Sequence, residues 1–177
     1  MGREHLCEII DDLELTGIGA EIGVHEGEFS DVILSNTKMS MLISIDIWKK
    51  QYCMNQAFKR LQKHDLRSTM IRQNSLVAAQ MFPDNFFDFI YIDSWHVYKH
   101  TKKELDLYWP KLKTGGIFSG HDYVEGWKDQ SGVFHPYGVI QAVDEFVKRE
   151  RQTLNLIDPN WPSWWLIKET KDHIMLQ

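Results

Sequence analysis

Residues 89–96 read FIYIDSWH, and residues 115–123 read GGIFSGHDY. Each stretch contains a short apolar run that ends abruptly in charged residues, which is typical of a strand covered on both faces. If the two strands lie side by side and parallel, Asp93, His96, His121 and Asp122 meet at one edge of the sheet. We therefore interpret this edge as a candidate site for a metal ion and a general base.

Strand-like and helix-like patterns alternate on both sides of this stretch. The apolar spacing predicts strands at 20–24, 41–45, 68–72, 86–92 and 117–120, an opening helix at 3–15, a late helix at 139–149, and a closing hairpin between 154 and 168. Residues 123–138 are rich in glycine, proline and aromatic side chains and are predicted to form a long irregular loop. The alternation predicts an α/β fold with a doubly wound, mainly parallel sheet and helices on both faces, in one domain that spans residues 1–177.

Composition limits the classes of partner. The formal net charge is −5 and the pI is about 5.9, which argues against a general electrostatic surface for nucleic acid. The two cysteines, Cys7 and Cys53, have no C-x-x-C spacing, so we expect no disulfide scaffold and a reducing, cytoplasmic location. No apolar run approaches membrane-spanning length, and the charged first residues do not resemble a signal peptide. We expect a small-molecule partner, no nucleic acid and no membrane, and the chain could form a homo-oligomer.

The first strand-to-helix turn contains two glycines, Gly23 and Gly27, and the lack of a Cβ atom there lets the backbone approach a ligand closely. The dinucleotide fingerprint G-x-G-x-x-G is not met, because no third glycine follows and Glu26 would lie near a pyrophosphate. A nicotinamide-dependent dehydrogenase is therefore disfavoured. Asp46 ends the second strand, and its carboxylate could accept hydrogen bonds from both ribose hydroxyls of a nucleoside.

Together these motifs resemble the class I S-adenosylmethionine-dependent methyltransferases. The resemblance covers roughly residues 20–123 and rests on E-x-G-x-x-x-G at 21–27, Asp46, Asn74-Ser75 and FDFIYID at 87–93. Within it, D-x-x-H at 93–96, L-K-x-G-G at 112–116 and GHDY at 120–123 resemble the macrocin-type sugar O-methyltransferases and the cephalosporin-hydroxylase-like proteins. The resemblance implies a Rossmann-like sheet of seven strands whose last strand is antiparallel.

The resemblance also implies that S-adenosylmethionine is the cofactor. Gly23 and Gly27 would border its methionine part, and Glu21 would reach its ammonium group through water. Asp46 would hold the ribose, and Ser75 would lie near the adenine. The complete set implied for the cofactor is Glu21, Gly23, Gly27, Asp46, Ser75 and Asp93.

On the acceptor side, the resemblance implies a divalent cation, Mg²⁺ or Mn²⁺, held by Asp93 and Asp122, with His96 as the base. The position before the second aspartate is commonly acidic in that family, whereas here it is His121. If His121 is a ligand, Mn²⁺ is favoured, because imidazole is a poorer partner for Mg²⁺. The predicted function is a metal-assisted O-methyltransferase that acts on a hydroxyl of a sugar or polyol-like small molecule.

Two other functions stay open. One is a metal-assisted O-methyltransferase of a catechol or other phenol, and the other is a non-catalytic accessory protein that binds S-adenosylmethionine. The structural alternatives for Asp93, Asp122 and His96 are a helix cap, a turn former and a structural histidine. The tryptophans within 161–165 are interpreted as packing residues of the closing hairpin, and the charged run at 99–103 as the solvated start of a helix.

Overall fold

The structure is a computed structural model that describes residues 2–169. Its helices are α1 (His5–Asp12), α2 (Glu28–Asn36), α3 (Gln51–Leu61), α4 (Ser75–Ala78), α5 (Tyr98–Tyr108) and α6 (Val139–Glu150). Its strands are β1 (Ile18–Ile22), β2 (Met41–Asp46), β3 (Ser68–Arg72), β4 (Phe87–Ile92), β5 (Leu112–Gly120), β6 (Gly126–Lys128), β7 (Phe134–Pro136), β8 (Asn155–Ile157) and β9 (Ser163–Ile167). Within residues 2–169, no helix combines the length and the apolar character that crossing a membrane requires.

Seven strands form one sheet in the order β3-β2-β1-β4-β5-β9-β8. The first five strands are parallel to one another, while β9 runs antiparallel between β5 and β8. The predicted α/β fold, with a doubly wound, mostly parallel sheet of seven strands and an antiparallel last strand, is thereby confirmed. The strand order reverses between β1 and β4, and sheets of this kind bind ligands outside the carboxyl ends of the strands at such a point.

β4 is apolar along most of its length because helices cover both faces of the sheet. Ile90 and Ile92 pack in a core cluster with Leu105 of α5, whereas Phe89 and Tyr91 pack in the opposite cluster with residues of α1 and α2. This alternation follows from the strand geometry, in which successive side chains point to opposite faces. Where β4 ends, the chain leaves the apolar layers, and the first charged side chain therefore lies at the carboxyl edge of the sheet.

β5 begins at Leu112, five residues before the predicted start of the strand at 117. Gly115 and Gly116 lie inside this strand, near an irregularity in its pairing with β4. A Cβ atom on Gly116 would lie 2.7 Å from the carbonyl oxygen of Asp88, so the two strands approach too closely for any larger residue.

Residues 123–138 contain a two-stranded hairpin, so the prediction of an irregular loop was wrong for this segment. β6 and β7 pair antiparallel, and the carboxylate of Asp129 accepts the backbone N–H groups of Ser131 and Val133 in the connecting turn. Each strand has only three residues, and none of them is buried. A strand that buries neither face carries no alternating apolar pattern, and the sequence therefore gave no signal for it.

Candidate functional site

A cavity of about 570 Å³ lies at the carboxyl ends of β1, β2 and β4, beside the point where the strand order reverses. This volume is within the range of roughly 300–1,000 Å³ that is typical of small-molecule sites. Four of the residues predicted to bind a cofactor line the cavity, namely Gly23, Asp46, Ser75 and Asp93. Glu21 and Gly27 are not part of its lining within the described residues.

Asp46 is held rigidly at the end of β2. One of its oxygens accepts the backbone N–H of His25 at 2.9 Å, and the other accepts the backbone N–H of Trp48 at 2.6 Å. Each carboxylate oxygen can accept a further hydrogen bond. The side chain is therefore fixed in orientation and still able to accept a pair of hydroxyl groups from a ligand in the cavity.

The two glycines of the first turn, Gly23 and Gly27, have different structural roles. Gly23 has a φ of +93°, and a Cβ atom there would lie 1.9 Å from the carbonyl oxygen of Asp93, where the ends of β1 and β4 touch. Gly27 precedes α2 with a φ of +77°, and a Cβ atom there would lie 3.1 Å from Ala57 of α3. Gly23 thus borders the cavity, whereas Gly27 allows α2 and α3 to pack closely.

Glu21 lies within β1, almost completely buried. The hydroxyl of Ser30 donates to its carboxyl group and lies 2.8 Å from the hydroxyl of Ser44. Burial raises the pKa of Glu21 to about 8, although the hydrogen bond from Ser30 opposes this shift. At neutral pH the side chain is therefore mostly protonated.

A buried polar network lies behind the end of the cavity that Ser75 lines. The hydroxyl of Ser75 lies 3.2 Å from Nε2 of His100, and this nitrogen lies 3.1 Å from the carboxylate of Glu104. Glu104 is fully buried and also accepts the hydroxyl of Ser94. His100 and Ser94 both line the cavity, so the interpretation of 99–103 as a solvated helix start missed a lining residue. His100 and Glu104 are four residues apart on one helix, and this spacing could have indicated that His100 pairs with a carboxylate and does not simply face solvent.

Asp93, His96 and Asp122 come together beside the cavity, and the ligand atoms that they offer all lie within 4.8 Å of one another. Nε2 of His96 lies 2.6 Å from Oδ2 of Asp122 and 3.4 Å from Oδ1 of Asp93. Asp122 is buried two residues after the end of β5 and adopts a left-handed φ of 58°. The parallel pairing of β4 and β5 thus brings these three side chains to one place, while their roles in binding and catalysis stay predictions.

His121 lies next to this cluster but faces β9 with one of its ring nitrogens. Its Nδ1 lies 2.9 Å from the hydroxyl of Ser163, so Nε2 is the nitrogen that could join a metal. Burial lowers the pKa of His121, although the nearby carboxylates of Asp93 and Asp122 act in the opposite direction. The lowered pKa favours the neutral form of the ring, which is the form that binds a metal.

Two cations neutralise the paired carboxylates. Burial acts to lower the pKa of His96, but the hydrogen bonds with Asp122 and Asp93 outweigh it and raise the pKa to about 9. Arg3 places its Nη1 atom 3.1 Å from Oδ2 of Asp93, with its guanidinium 4.7 Å from the ring centre of Phe29. These contacts hold both carboxylates in fixed positions.

Trp161 and Tyr137 complete the surroundings of the cluster. The indole N–H of Trp161 donates to Oδ1 of Asp122, and the ring of Tyr137 lies 4.6 Å from the ring of His96. The interpretation of Trp161 as a packing residue of the closing hairpin therefore missed this polar contact.

The donor set fits a divalent cation. The carboxylates of Asp93 and Asp122 suit Mg²⁺, and the imidazole of His121 as a third ligand would favour Mn²⁺. A hydrogen bond from outside the ligand set, such as that from Trp161 to Asp122, commonly orients a carboxylate ligand.

Comparison with known proteins supports the fold and identifies the family. Residues 20–123 match a family model described as a methyltransferase domain. The O-methyltransferase from Bacillus cereus in complex with SAH (S-adenosylhomocysteine) is 13% identical, with a TM-score of 0.69 over 93% of this chain and 80% of that chain. An rRNA methylase from Streptococcus thermophilus is 13% identical, with a TM-score of 0.72 over 96% of this chain and 99% of that chain. At these identities, the likeness shows the fold alone.

No curated protein sequence is significantly similar to this chain. The family match, however, covers more than half of the chain, from the start of the glycine turn to the end of the GHDY motif. The matched region contains most of β1 and all of β2 to β5, and hence the strand ends that carry the cavity and the cluster beside it. The chain therefore belongs to the methyltransferase domain family, and its sheet has the Rossmann-like arrangement of class I methyltransferases.

Proposed function

We propose that this methyltransferase is an O-methyltransferase, assisted by a divalent cation, that acts on a hydroxyl of a sugar or polyol-like small molecule. The observation that supports the proposal is the position of Asp93, which lines the cavity and belongs to the cluster with His96 and Asp122. Asp93 thus belongs both to a cavity of suitable size for the cofactor and to a group of side chains that can bind a cation and accept a proton.

Transfer of a methyl group from a sulfonium is an in-line displacement, so the acceptor oxygen must be aligned with the methyl carbon and must lose its proton. Asp93 and Asp122 would hold the cation, which when bound lowers the cost of ionising the hydroxyl. His96, once unprotonated, would accept the proton at Nε2, the atom that lies between the two carboxylates. Gly23 and Asp46 would position the methyl donor on the other side of Asp93.

The net charge of the chain and an exposed aromatic side chain agree with a small acceptor that carries hydroxyl groups. The net charge of −5 disfavours a polyanionic substrate such as RNA. The hairpin that leads to Tyr137 exposes Trp127, whose ring stacks on His135 at 4.7 Å. Aromatic faces of this kind bind the apolar faces of sugars, and they also stack on phenols. The acceptor class therefore has to be tested directly.

The test is transfer of a labelled methyl group from S-adenosylmethionine to panels of sugars, polyols and catechols, with Mg²⁺ or Mn²⁺ and with a chelator. We expect methylated sugars or polyols, and loss of the product on chelation. His96→Gln should lower the rate at least about 100-fold, the contribution expected of a general base, without preventing S-adenosylhomocysteine from binding. His64→Gln is the matched control, because His64 pairs with Asp31 on α2, outside the cluster.

Three results would contradict the proposal in different ways. Methylation of catechols alone would assign the phenol alternative. Binding of S-adenosylhomocysteine without methylation of any acceptor, together with unchanged biological activity of His96→Gln, would indicate the accessory protein. Full activity in the presence of the chelator would show that the reaction does not require a divalent cation.

A further inference from the structure

A second group of metal-ligating side chains lies at the cavity, separate from the Asp93 cluster. The ligand atoms of His25, Glu26 and Cys53 all lie within 4.8 Å of one another. His25 is exposed, Glu26 is half-buried and Cys53 is buried, and both His25 and Cys53 line the cavity. The donor set of imidazole, carboxylate and thiol differs in kind from two carboxylates with an imidazole.

The distance between two of these ligands already fits zinc. Zn²⁺ binds imidazole nitrogen at roughly 2.0–2.1 Å and thiolate sulfur at roughly 2.3 Å in tetrahedral geometry, which separates the nitrogen and the sulfur by about 3.6 Å. Nε2 of His25 lies 3.5 Å from Sγ of Cys53. The Glu26 carboxylate, on a flexible side chain next to His25, needs only a small movement to complete three ligands.

The backbone around these ligands is firmly held. His25 has a left-handed φ of 52°, its N–H donates to Asp46, and its carbonyl accepts the indole N–H of Trp48 at 2.7 Å. The carbonyl of Glu26 accepts the guanidinium of Arg60. Cys53 lies in the first turn of α3, where its N–H donates to the carbonyl of Lys50 at 3.1 Å. Two elements of the fold thus fix the ligands independently of any ion.

We infer that His25, Glu26 and Cys53 bind a thiophilic divalent cation of the Zn²⁺ class, with the fourth coordination position filled by water. Cys53 binds as the thiolate and releases its proton to solvent, and His25 binds as the neutral imidazole. The thiolate gives the site its preference for Zn²⁺ over Mg²⁺. Because two of the ligands line the cavity, the bound ion competes with the methyl donor for space, and this consequence rests on the proposed function.

The first test uses Co²⁺ as the probe, because cobalt bound to a thiolate has a charge-transfer absorption band in the near ultraviolet. The Asp93 cluster contains no sulfur and cannot produce this band. We expect the band in the wild type and in Cys7→Ser, whose cysteine is buried elsewhere in the core, and its loss on addition of Zn²⁺. Cys53→Ser should abolish the band, and His25→Gln should lower the Co²⁺ affinity at least about tenfold. Absence of the band in the wild type, or its persistence in Cys53→Ser, overturns the inference.

The second test measures S-adenosylhomocysteine binding by calorimetry with and without Zn²⁺. We expect Zn²⁺ to weaken binding at least about tenfold in the wild type and in Cys7→Ser, with no such change in Cys53→Ser. If the cobalt band forms but Zn²⁺ leaves binding unchanged, the competition is refuted. If S-adenosylhomocysteine binds under no condition, the proposed function fails, while the cobalt band still decides whether the metal site exists.

Discussion

The buried carboxyl group of Glu21 should make the protein less stable as the pH rises. Glu21 is 2% exposed within β1, and burial raises its pKa from the ordinary value of 4.5 to about 8. Between these two pKa values the native state holds a proton that the unfolded state releases. The protonated Glu21 carboxyl contributes to the free energy of unfolding fully below pH 4.5, and this contribution is lost as the pH rises through about 8. The total loss is at most about 5 kcal/mol.

Glu21→Gln removes this dependence, because the amide cannot ionise but still bonds to Ser30. The linkage relation predicts that the free energy of unfolding of the variant, relative to that of the wild type, rises by roughly 3–4 kcal/mol between pH 5 and pH 8. Near pH 5 the two proteins should differ by only about 1 kcal/mol, the scale of one altered hydrogen bond.

Urea unfolding of both proteins at a series of pH values and constant ionic strength measures this difference. Glu14→Gln is the control for the loss of one glutamate side chain, because Glu14 is exposed to solvent before β1. A difference between Glu21→Gln and the wild type that stays constant with pH would mean that Glu21 is ionised in the native state. The assignment of a buried neutral carboxyl to this position would then be wrong.

Three further substitutions test the packing and the two halves of the site. Gly120→Ala should lower the free energy of unfolding by roughly 1–3 kcal/mol in urea denaturation, because a Cβ atom there would lie 2.6 Å from the Ile92 carbonyl oxygen; an unchanged midpoint would contradict this. Trp161→Phe removes the N–H donor to Asp122, so Mn²⁺ affinity measured by calorimetry should fall about 10–100-fold, and equal affinity would show that the hydrogen bond is irrelevant. Asp46→Ala should weaken S-adenosylhomocysteine binding at least about tenfold with Mn²⁺ affinity retained, and loss of both would indicate a general disruption.

The fold was predictable because its strongest signals are local. β4 is apolar along most of its length because helices pack on both of its faces, and β3 occupies the predicted residues 68–72. The hairpin of β6 and β7 was not predictable, because its stability comes from a turn that Asp129 organises and not from burial of one face. Local patterns therefore identify strands that the core covers and miss strands that lie on the surface.

The residues of the candidate site also divide into those that local sequence patterns predict and those that they do not. Asp93 and Asp122 could be found because parallel strands place their carboxyl ends at one edge of the sheet. Residues that follow two neighbouring strands are therefore predicted to lie close together. Trp161 contacts Asp122 from 39 residues further along the chain, and Arg3 contacts Asp93 from 90 residues before it. No spacing rule relates residues so far apart, and only the packed structure brings them together.

The two halves of the site therefore depend on different kinds of contact. The half proposed for the cofactor depends on backbone contacts, namely the approach of Gly23 to the Asp93 carbonyl and the two amides that hold Asp46. The half proposed for the acceptor depends on side chains such as Tyr137 and Trp161, which come from surface segments after the matched region. Substitutions in surface segments disturb the sheet little, whereas a change at Gly23 would force two strand ends apart. Acceptor preference should therefore be sought in 123–138 and 158–162, and we expect exchanges there to change the acceptor without loss of the cofactor.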